Sequence, residues 1–257
     1  MSTREGLRIY LVATPTLGAG IQQFLDDRRL TWDRERSRSD AESLVEAAGR
    51  ICYLSFGERQ YRRGNLEYVT NLIDKGHESV FEHANFSLLV DGISRALSHQ
   101  LVRHRIGFAY SQLSQQYKDE IDADFAVPPG LEKNPHGLER WREFMEEARK
   151  LYGELLQTAD SSHVGIEKAE QRRWARSIAR SVLPNATATT MMVTGNARAW
   201  RHLFDVRGDI AGDLEMRAYC VAAFRILAES APSLFSDYEV VTDIGDCSVR
   251  KRRPCTG

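Results

Sequence analysis

The segment Gln100-Leu101-Val102-Arg103-His104-Arg105 runs directly into a series of hydrogen-bonding side chains: Tyr110, Ser111, Gln112, Ser114, Gln115, Gln116 and Tyr117. Three consecutive cationic or near-cationic groups beside amides and hydroxyls suit anionic ligands, because a guanidinium grips a phosphate or carboxylate with paired hydrogen bonds. A helix capped by Ser94 and running through the cluster would turn Arg103 and Arg105 about 200° apart. One ligand cannot easily take both. Gln100, Arg103 and His104 would share one side, leaving Arg105 for a second group. A solvated face is the plain alternative for any run of charge. The apolar flanks Leu101, Val102 and Ile106 argue for a half-buried helix instead, and buried arginines need anionic partners.

Two further cationic sets follow. Arg173, Arg176 and Arg180 recur at helical spacing, with Arg172 beside them. Glu167 and Glu170 could neutralise part of that stripe through helical pairs. Arg198 and Arg207 flank a short helix expected to open at Asn196. Three separated arginine sets fit one ligand with several phosphates, or two such ligands.

Other chemistries lack their signatures. No G-x-G-x-x-G or P-loop glycine pattern is present, and no G-x-S-x-G nucleophile elbow. In His77-Glu78-Ser79-Val80-Phe81-Glu82-His83 the two histidines would stand about 240° apart on a helix, so a shared metal is not expected.

The elements that must position these residues read as follows. Leu7–Val12 suits a buried strand, and Asp40 caps a helix to about Tyr53 with Leu44, Val45 and Ala48 on one face. A helix from about Leu66 to Lys75 stops at Gly76. Ala84–Val90 and Ala186–Thr194 suit strands. From Leu138 an apolar stripe through Trp141, Phe144, Met145, Ala148, Leu151, Tyr152 and Leu155 marks a helix. Ile166–Arg180, Asn196–Phe204 and Leu214–Leu227 are further helices, and Asp119–Pro135, with three prolines, is a long loop or lid. No repeat or linker divides the 257 residues, so one α+β domain over 1–257 is expected, with 240–257 as a mobile tail whose basic run Arg250–Arg253 is solvated.

Composition narrows the function. The 35 Lys+Arg against 36 Asp+Glu leave a formal charge of -1 and a pI near 6.7, against a nucleic-acid coat or binding to a membrane surface by bulk charge. No apolar stretch reaches the length of a membrane span, and the run Ile9–Ala13 is too short for a secretory signal. Four cysteines without a C-x-x-C pair fit a reducing cytoplasm. Cys247 and Cys255 could pair on oxidation, though free thiols are expected.

Arg103-His104-Arg105 followed by Ser114 resembles the R-H-R-x7/8-S signature of the flavin-dependent thymidylate synthases. GHESVFEH at 76–83, ARSVLP at 179–184, NAR at 196–198 and VRGD at 206–209 stand in the order of that family's motifs, so the resemblance spans about 50–231. It implies an α/β subunit with an antiparallel or mixed sheet and packed helices, in a homotetramer whose active sites are shared between subunits. It also implies FAD, NADPH and 5,10-methylenetetrahydrofolate as cofactors and a uridylate, dUMP or UMP, as substrate. NADPH reduces the flavin, the folate's one-carbon unit passes to C5 of the pyrimidine, and the flavin's hydride completes the methyl group. No enzyme cysteine attacks the pyrimidine in this family, and the one Pro-Cys pair here, Pro254-Cys255, lies at the chain end. By position, His77, Ser79, Arg103, His104, Arg105, Asn196, Arg198 and His202 look like flavin contacts. Gln100, Arg103, Gln112, Ser114, Gln115, Gln116, Arg180 and Arg207 look like nucleotide contacts. Arg207 or Arg180 could stabilise charge developing on the ring. Ser114, with no adjacent base to activate it, is a positioning donor rather than a nucleophile.

Two features depart from the commoner pattern. The spacer Ile106–Leu113 is eight residues, the longer form, and Gln116 stands where the family's Ser-x-Arg-Tyr has arginine. Losing a charge-assisted contact of about 1.5–3 kcal/mol would reshape the sugar and phosphate pocket. Nucleotide choice could then widen to UMP, as in relatives serving nucleoside-antibiotic pathways. The alternatives from other classes are a nucleic-acid-binding module using the basic helix and tail, and a flavin-binding relative without methyltransfer.

Overall fold

Polar caps open four of the helices in the computed structural model, which describes residues 6–61, 64–161, 167–243 and 246–252. In chain order the strands are β1 (Arg8–Ala13), β2 (Asn85–Ser94), β3 (Phe108–Gln112), β4 (Ala188–Asn196), β5 (Tyr238–Asp243) and β6 (Asp246–Lys251). The helices are α1 (Gly20–Asp27), α2 (Asp40–Tyr53), α3 (Asn65–Asp74), α4 (Arg95–Leu101), α5 (Pro135–Ser161), α6 (Lys168–Ala179), α7 (Ala197–Arg207) and α8 (Leu214–Ser230). The fold is α+β, with a four-stranded sheet in the order β1-β2-β4-β3 and a two-stranded antiparallel sheet of β5 and β6. The chain packs as two units: 1–8, 90–103 and 110–192 form the first, and 9–89, 104–109 and 193–257 the second.

In the first unit α4 opens where Ser94 accepts a hydrogen bond from the Leu97 amide at 3.0 Å. Its apolar face, Leu97 and Leu101, is buried. α4 ends at Leu101, so Arg103 lies in the turn after the helix and the angular argument for the cluster does not hold. The long α5 buries Met145, Ala148, Tyr152 and Ala159 along the expected stripe, but Phe144 and Leu151 stay exposed. Packed beside it, α6 fully buries only Ala175 and Ala179; Arg172 and Arg173 are exposed, whereas Arg176 is largely covered. The start assigned to this helix, Ile166, lies outside the described residues. The proline-rich stretch is largely a loop, tied down by a bridge between Phe125 and Thr187 and by the Glu120 amide donating to the Tyr152 hydroxyl at 3.1 Å.

In the second unit the cap of α2 is Ser39, not Asp40. Its hydroxyl accepts from the Glu42 amide while the Glu42 carboxylate accepts from the Ser39 amide, a reciprocal capping box. Of the apolar face expected for α2, Val45 is fully buried, and the buried surface extends to charged residues. Glu42, Glu46 and Arg50 are about 1% exposed, whereas Leu44 and Ala48 are half-buried. A complete set of partners makes this possible: Arg50 Nε donates to Glu46 at 2.7 Å, Trp32 and Asn65 donate to Glu46, and the Ser233 amide donates to Glu42. Gly76, at φ 67°, ends the α3 segment as a left-handed cap. α7, α8, β2, the segment at 232–235 and the start of β5 supply Trp200, Phe204, Phe224, Phe86, Phe235 and Tyr238, a buried aromatic cluster with edge-to-face contacts.

Two expectations are overturned here. β1, at the edge of the sheet, is exposed along nearly its whole length, with Val12 53% accessible, so no layer covers its faces. The 240–257 segment is not a tail through its described part. β5 and β6 form a hairpin whose Val249 is fully buried and whose Val249 amide bonds the Gly208 carbonyl at 2.9 Å. Its basic residues are paired: Arg250 with Asp209 and Asp243, and Lys251 with Asp205. Tyr238-Glu239-Val240-Val241-Thr242 carries the β-branched signal that marks the strand. Cys52, Cys220 and Cys247 are free thiols; Cys255, its suggested partner, lies outside the described residues.

Candidate functional site

The expected nucleotide contacts fall, except for Arg207, in the first unit. Gln112 ends β3 and donates from Nε2 to Ser98 Oγ at 2.9 Å and Thr189 Oγ1 at 3.3 Å, so neighbouring elements orient its amide. Ser114 Oγ accepts from the Gln116 amide at 3.2 Å. That bond makes a tight polar turn of Ser114-Gln115-Gln116, all three half-buried. The Gln116 carboxamide donates to Ser177 of α6 at 3.3 Å. The same helix sends Arg176 to Asp119 and to the Gln116 carbonyl. Within the basic stripe, Arg176 is thus paired with Asp119, from the loop. Arg180 sits one residue past α6, in the short turn Arg180–Val182. Gln100 lies on α4, and its carbonyl accepts the Arg103 amide at 3.2 Å; Arg103 itself is exposed.

Arg95 was not singled out from the sequence. It is the first residue of α4, donates to the Leu113 carbonyl at 2.8 Å, and leaves its buried Nε–H without a partner. Burial holds its pKa below the ordinary value; Glu120 opposes that and Arg180 adds to it. Two guanidinium groups drawn into one another's field, one of them incompletely satisfied, make an arrangement that favours an anion. Nearby Glu120 is 2% exposed, its Oε1 has no hydrogen bond, and burial raises its pKa. Arg95 and Ser98 follow the cap Ser94 on the helix that carries Gln100, which is the signal that could have revealed them.

The expected flavin contacts, except Arg103, fall in the second unit. His77 is exposed and its ring stacks on Tyr53, centroids 6.4 Å apart. Ser79 lies exposed in the 3-10 segment Glu78–His83. Asn196 caps α7, accepting from the Ala199 amide at 2.8 Å. Arg198 and Arg207 are not flanks: both are inside α7, near its first turn and at its last residue. Arg198 pairs with Glu82 at 2.6 Å and approaches Glu78 at 3.6 Å. His202 and Arg105 are exposed. Arg207 donates from Nε to His104 Nε2 at 3.3 Å. Of the three residues expected nearest the chemistry, Ser114 and Arg180 therefore belong to the first unit and Arg207 to the second. Among the described residues no cluster of metal-ligating side chains is found, and no helix is long and apolar enough to cross a membrane.

The family described as thymidylate synthase complementing protein matches residues 36–233. The chain belongs to that family. It is 46% identical over 201 residues to a flavin-dependent thymidylate synthase of Mycolicibacterium vanbaalenii, covering 77% of this chain and 80% of the relative. To the enzymes of the same name from Mycobacteroides abscessus and Mycobacterium sp. strain KMS it is 40% identical over 238 residues and 44% over 246. These alignments cover 92% of this chain and 91% of the first relative, and 93% of both this chain and the second. The family match and both longer alignments run through the two units.

Proposed function

We propose that the chain catalyses flavin-dependent C5 methylation of dUMP, with NADPH and 5,10-methylenetetrahydrofolate as the other reactants. The observation that carries this reading is the family match across 36–233, inside which every assigned site residue lies. The second unit's donor set (Arg105, Arg198, His77, His202 and Asn196) suits a flavin dinucleotide: cations for the pyrophosphate, and the His77–Tyr53 stack as an aromatic surface. When bound, the flavin supplies the hydride that completes the methyl group. The chain's own residues bind and orient. Gln112, fixed by Ser98 and Thr189, presents its amide oxygen to the nucleotide. Ser114 positions by hydrogen bonding, Arg180 with Arg95 neutralises phosphate, and Arg207 meets charge building on the pyrimidine.

We read 1–257 as one catalytic domain, its motifs at about 50–231, acting in a cytoplasmic homotetramer. The apolar side chains left bare, Ile106 at 95%, Tyr53 at 65% and Val12 at 53%, support burial against further copies. Gln116, engaged with Ser177, supports a wider nucleotide choice that includes UMP.

The test is product analysis after incubating the protein with FAD, NADPH, methylenetetrahydrofolate and either dUMP or UMP. Thymidylate from dUMP is expected. NADPH oxidation with no methylated nucleotide would leave a flavin-binding relative without methyltransfer. A colourless protein with salt-sensitive nucleic-acid binding would leave the binding-module reading.

A further inference from the structure

His104 and Arg207 are neighbours only because the turn at 104–108 lies along α7. At one end of that turn Gly107 meets the helix start: its carbonyl accepts the Asn196 amide at 3.1 Å. Gly107 has φ 74°, and a Cβ there would stand 2.7 Å from the Asn196 side-chain Nδ2 and 2.8 Å from the Ala199 Cβ, so no larger residue fits without strain. Phe108 locks the same end, packed edge-on against Trp200 with centroids 5.0 Å apart. At the other end the half-buried His104 accepts the Arg207 Nε–H at 3.3 Å.

An imidazole nitrogen accepts only when it carries no proton, so this contact requires the neutral ring with its proton on Nδ1. We propose that His104 is the positioning residue for Arg207: its neutral imidazole, accepting at Nε2, holds the guanidinium plane in which Arg207 meets the nucleotide, and protonation of His104 releases it. The inference rests on the reading of Arg207 as a nucleotide contact. It gives His104 a role separate from any flavin contact.

The groups facing the pair favour the neutral ring. Burial holds the imidazole below its ordinary pKa, and Arg207 and His202, both from α7, push it the same way. From α8, Cys220 lies near Arg207 and near Asp213 at the helix cap; its thiol, pushed up to about 12, stays uncharged and offers Arg207 no competing anion. A protonated His104 would set N–H against N–H and charge against like charge. The contact would then open.

The experiment measures dUMP affinity of the flavin-loaded protein from about pH 8.5 down to 5.5, the window in which histidines titrate. The proteins compared are wild type, His104→Gln, His104→Ala, Arg207→Ala and the double variant His104→Ala/Arg207→Ala, with bound flavin quantified in each. At the alkaline end, His104→Ala is expected to weaken dUMP about fivefold or more, and the double variant to be no weaker than Arg207→Ala alone. His104→Gln, whose carboxamide oxygen can accept from Nε, should recover most of that affinity. It should also lose the acid fall-off that exceeds the nucleotide phosphate's own ionisation. Additive single-variant losses, or an unchanged acid fall-off in His104→Gln, overturn the proposal. Should His104→Ala not retain flavin, the His104→Gln profile against wild type decides alone. An Arg207→Ala protein that binds dUMP like wild type removes the underlying assignment of Arg207 as well, and is distinguished by that single measurement.

Discussion

Arg176 of α6 holds Asp119 with two hydrogen bonds, Nε to Oδ1 at 2.6 Å and Nη2 to Oδ2 at 3.3 Å. A third, from Nη1 to the Gln116 carbonyl at 3.2 Å, makes the guanidinium a clasp across the turn that carries Ser114, Gln115 and Gln116. A fork of this geometry fixes orientation as well as energy. The clasp depresses the Asp119 pKa, chiefly through the hydrogen bond from Arg176, so it stays closed at neutral pH.

Asp119→Ala should therefore act on binding more than on stability. Asp119 is about half exposed, and such pairs contribute little to folding. A loosened nucleotide turn would raise the KM for dUMP about three- to tenfold with a smaller change in kcat, the pattern of lost uniform binding. An unchanged KM would show that the turn is ordered without its clasp.

Glu46 and Arg50 should behave in the opposite way. Both are about 1% exposed, and Glu46 also accepts from Trp32 at 3.0 Å and Asn65 at 2.8 Å. Glu46→Ala strands a buried guanidinium that stacks 4.2 Å over the Tyr68 ring. Breaking one side of such a pair costs about 3–5 kcal/mol. Urea unfolding should register that loss, and a change under about 1 kcal/mol would mean water enters the site.

Glu120 offers a pH-dependent stability test. Burial raises its folded-state pKa. Its contribution is thus fully present below the ordinary value of 4.5 and is lost as pH rises through the folded value. Glu120→Gln removes the buried charge while keeping the shape. The variant should melt higher than wild type at pH 7, by about 2–4 °C for each kcal/mol recovered. Below about pH 4 the difference should vanish, because wild-type Glu120 is then neutral too. A variant that melts lower at pH 7 would show that attraction to Arg95 and Lys118 outweighs the burial penalty.

These residues show where sequence is a good guide and where it is not. The cap at Ser94, the Gly76 stop and the α5 stripe are local patterns, readable within one or two turns. The cluster at 103–105 is read from the sequence as part of a helix, because nothing local marks the end of α4 at Leu101. α2 misled for a related reason. Glu42, Glu46 and Arg50 look like a solvated face until Trp32, Asn65 and Ser233, from 14 to 191 positions away, close around them. The hairpin at 238–251 lost out to its basic end, although Val249 and Tyr238 carry the packing. The site residues came from motif order and the arginines from charge. A partner such as Asp119, whose role depends on long-range pairing with Arg176, is not legible in the sequence.

Gln116 is the position where one substitution tests nucleotide choice. Its carboxamide reaches Ser177 at 3.3 Å and its carbonyl takes Arg176, so the backbone at 116 is fixed whatever side chain stands there. Gln116→Arg restores the family's usual Ser-x-Arg-Tyr pattern without demanding a new turn. One charge-assisted contact to phosphate, about 1.5–3 kcal/mol, corresponds to an affinity gain of about ten- to a hundredfold. If the neutral carboxamide at 116 is what admits a 2′-hydroxyl, the gain will be larger for dUMP than for UMP. The ratio of their kcat/KM values will then shift toward dUMP. An equal gain for both nucleotides would assign residue 116 to the phosphate alone and move the search for sugar discrimination to Gln112 and Gln115.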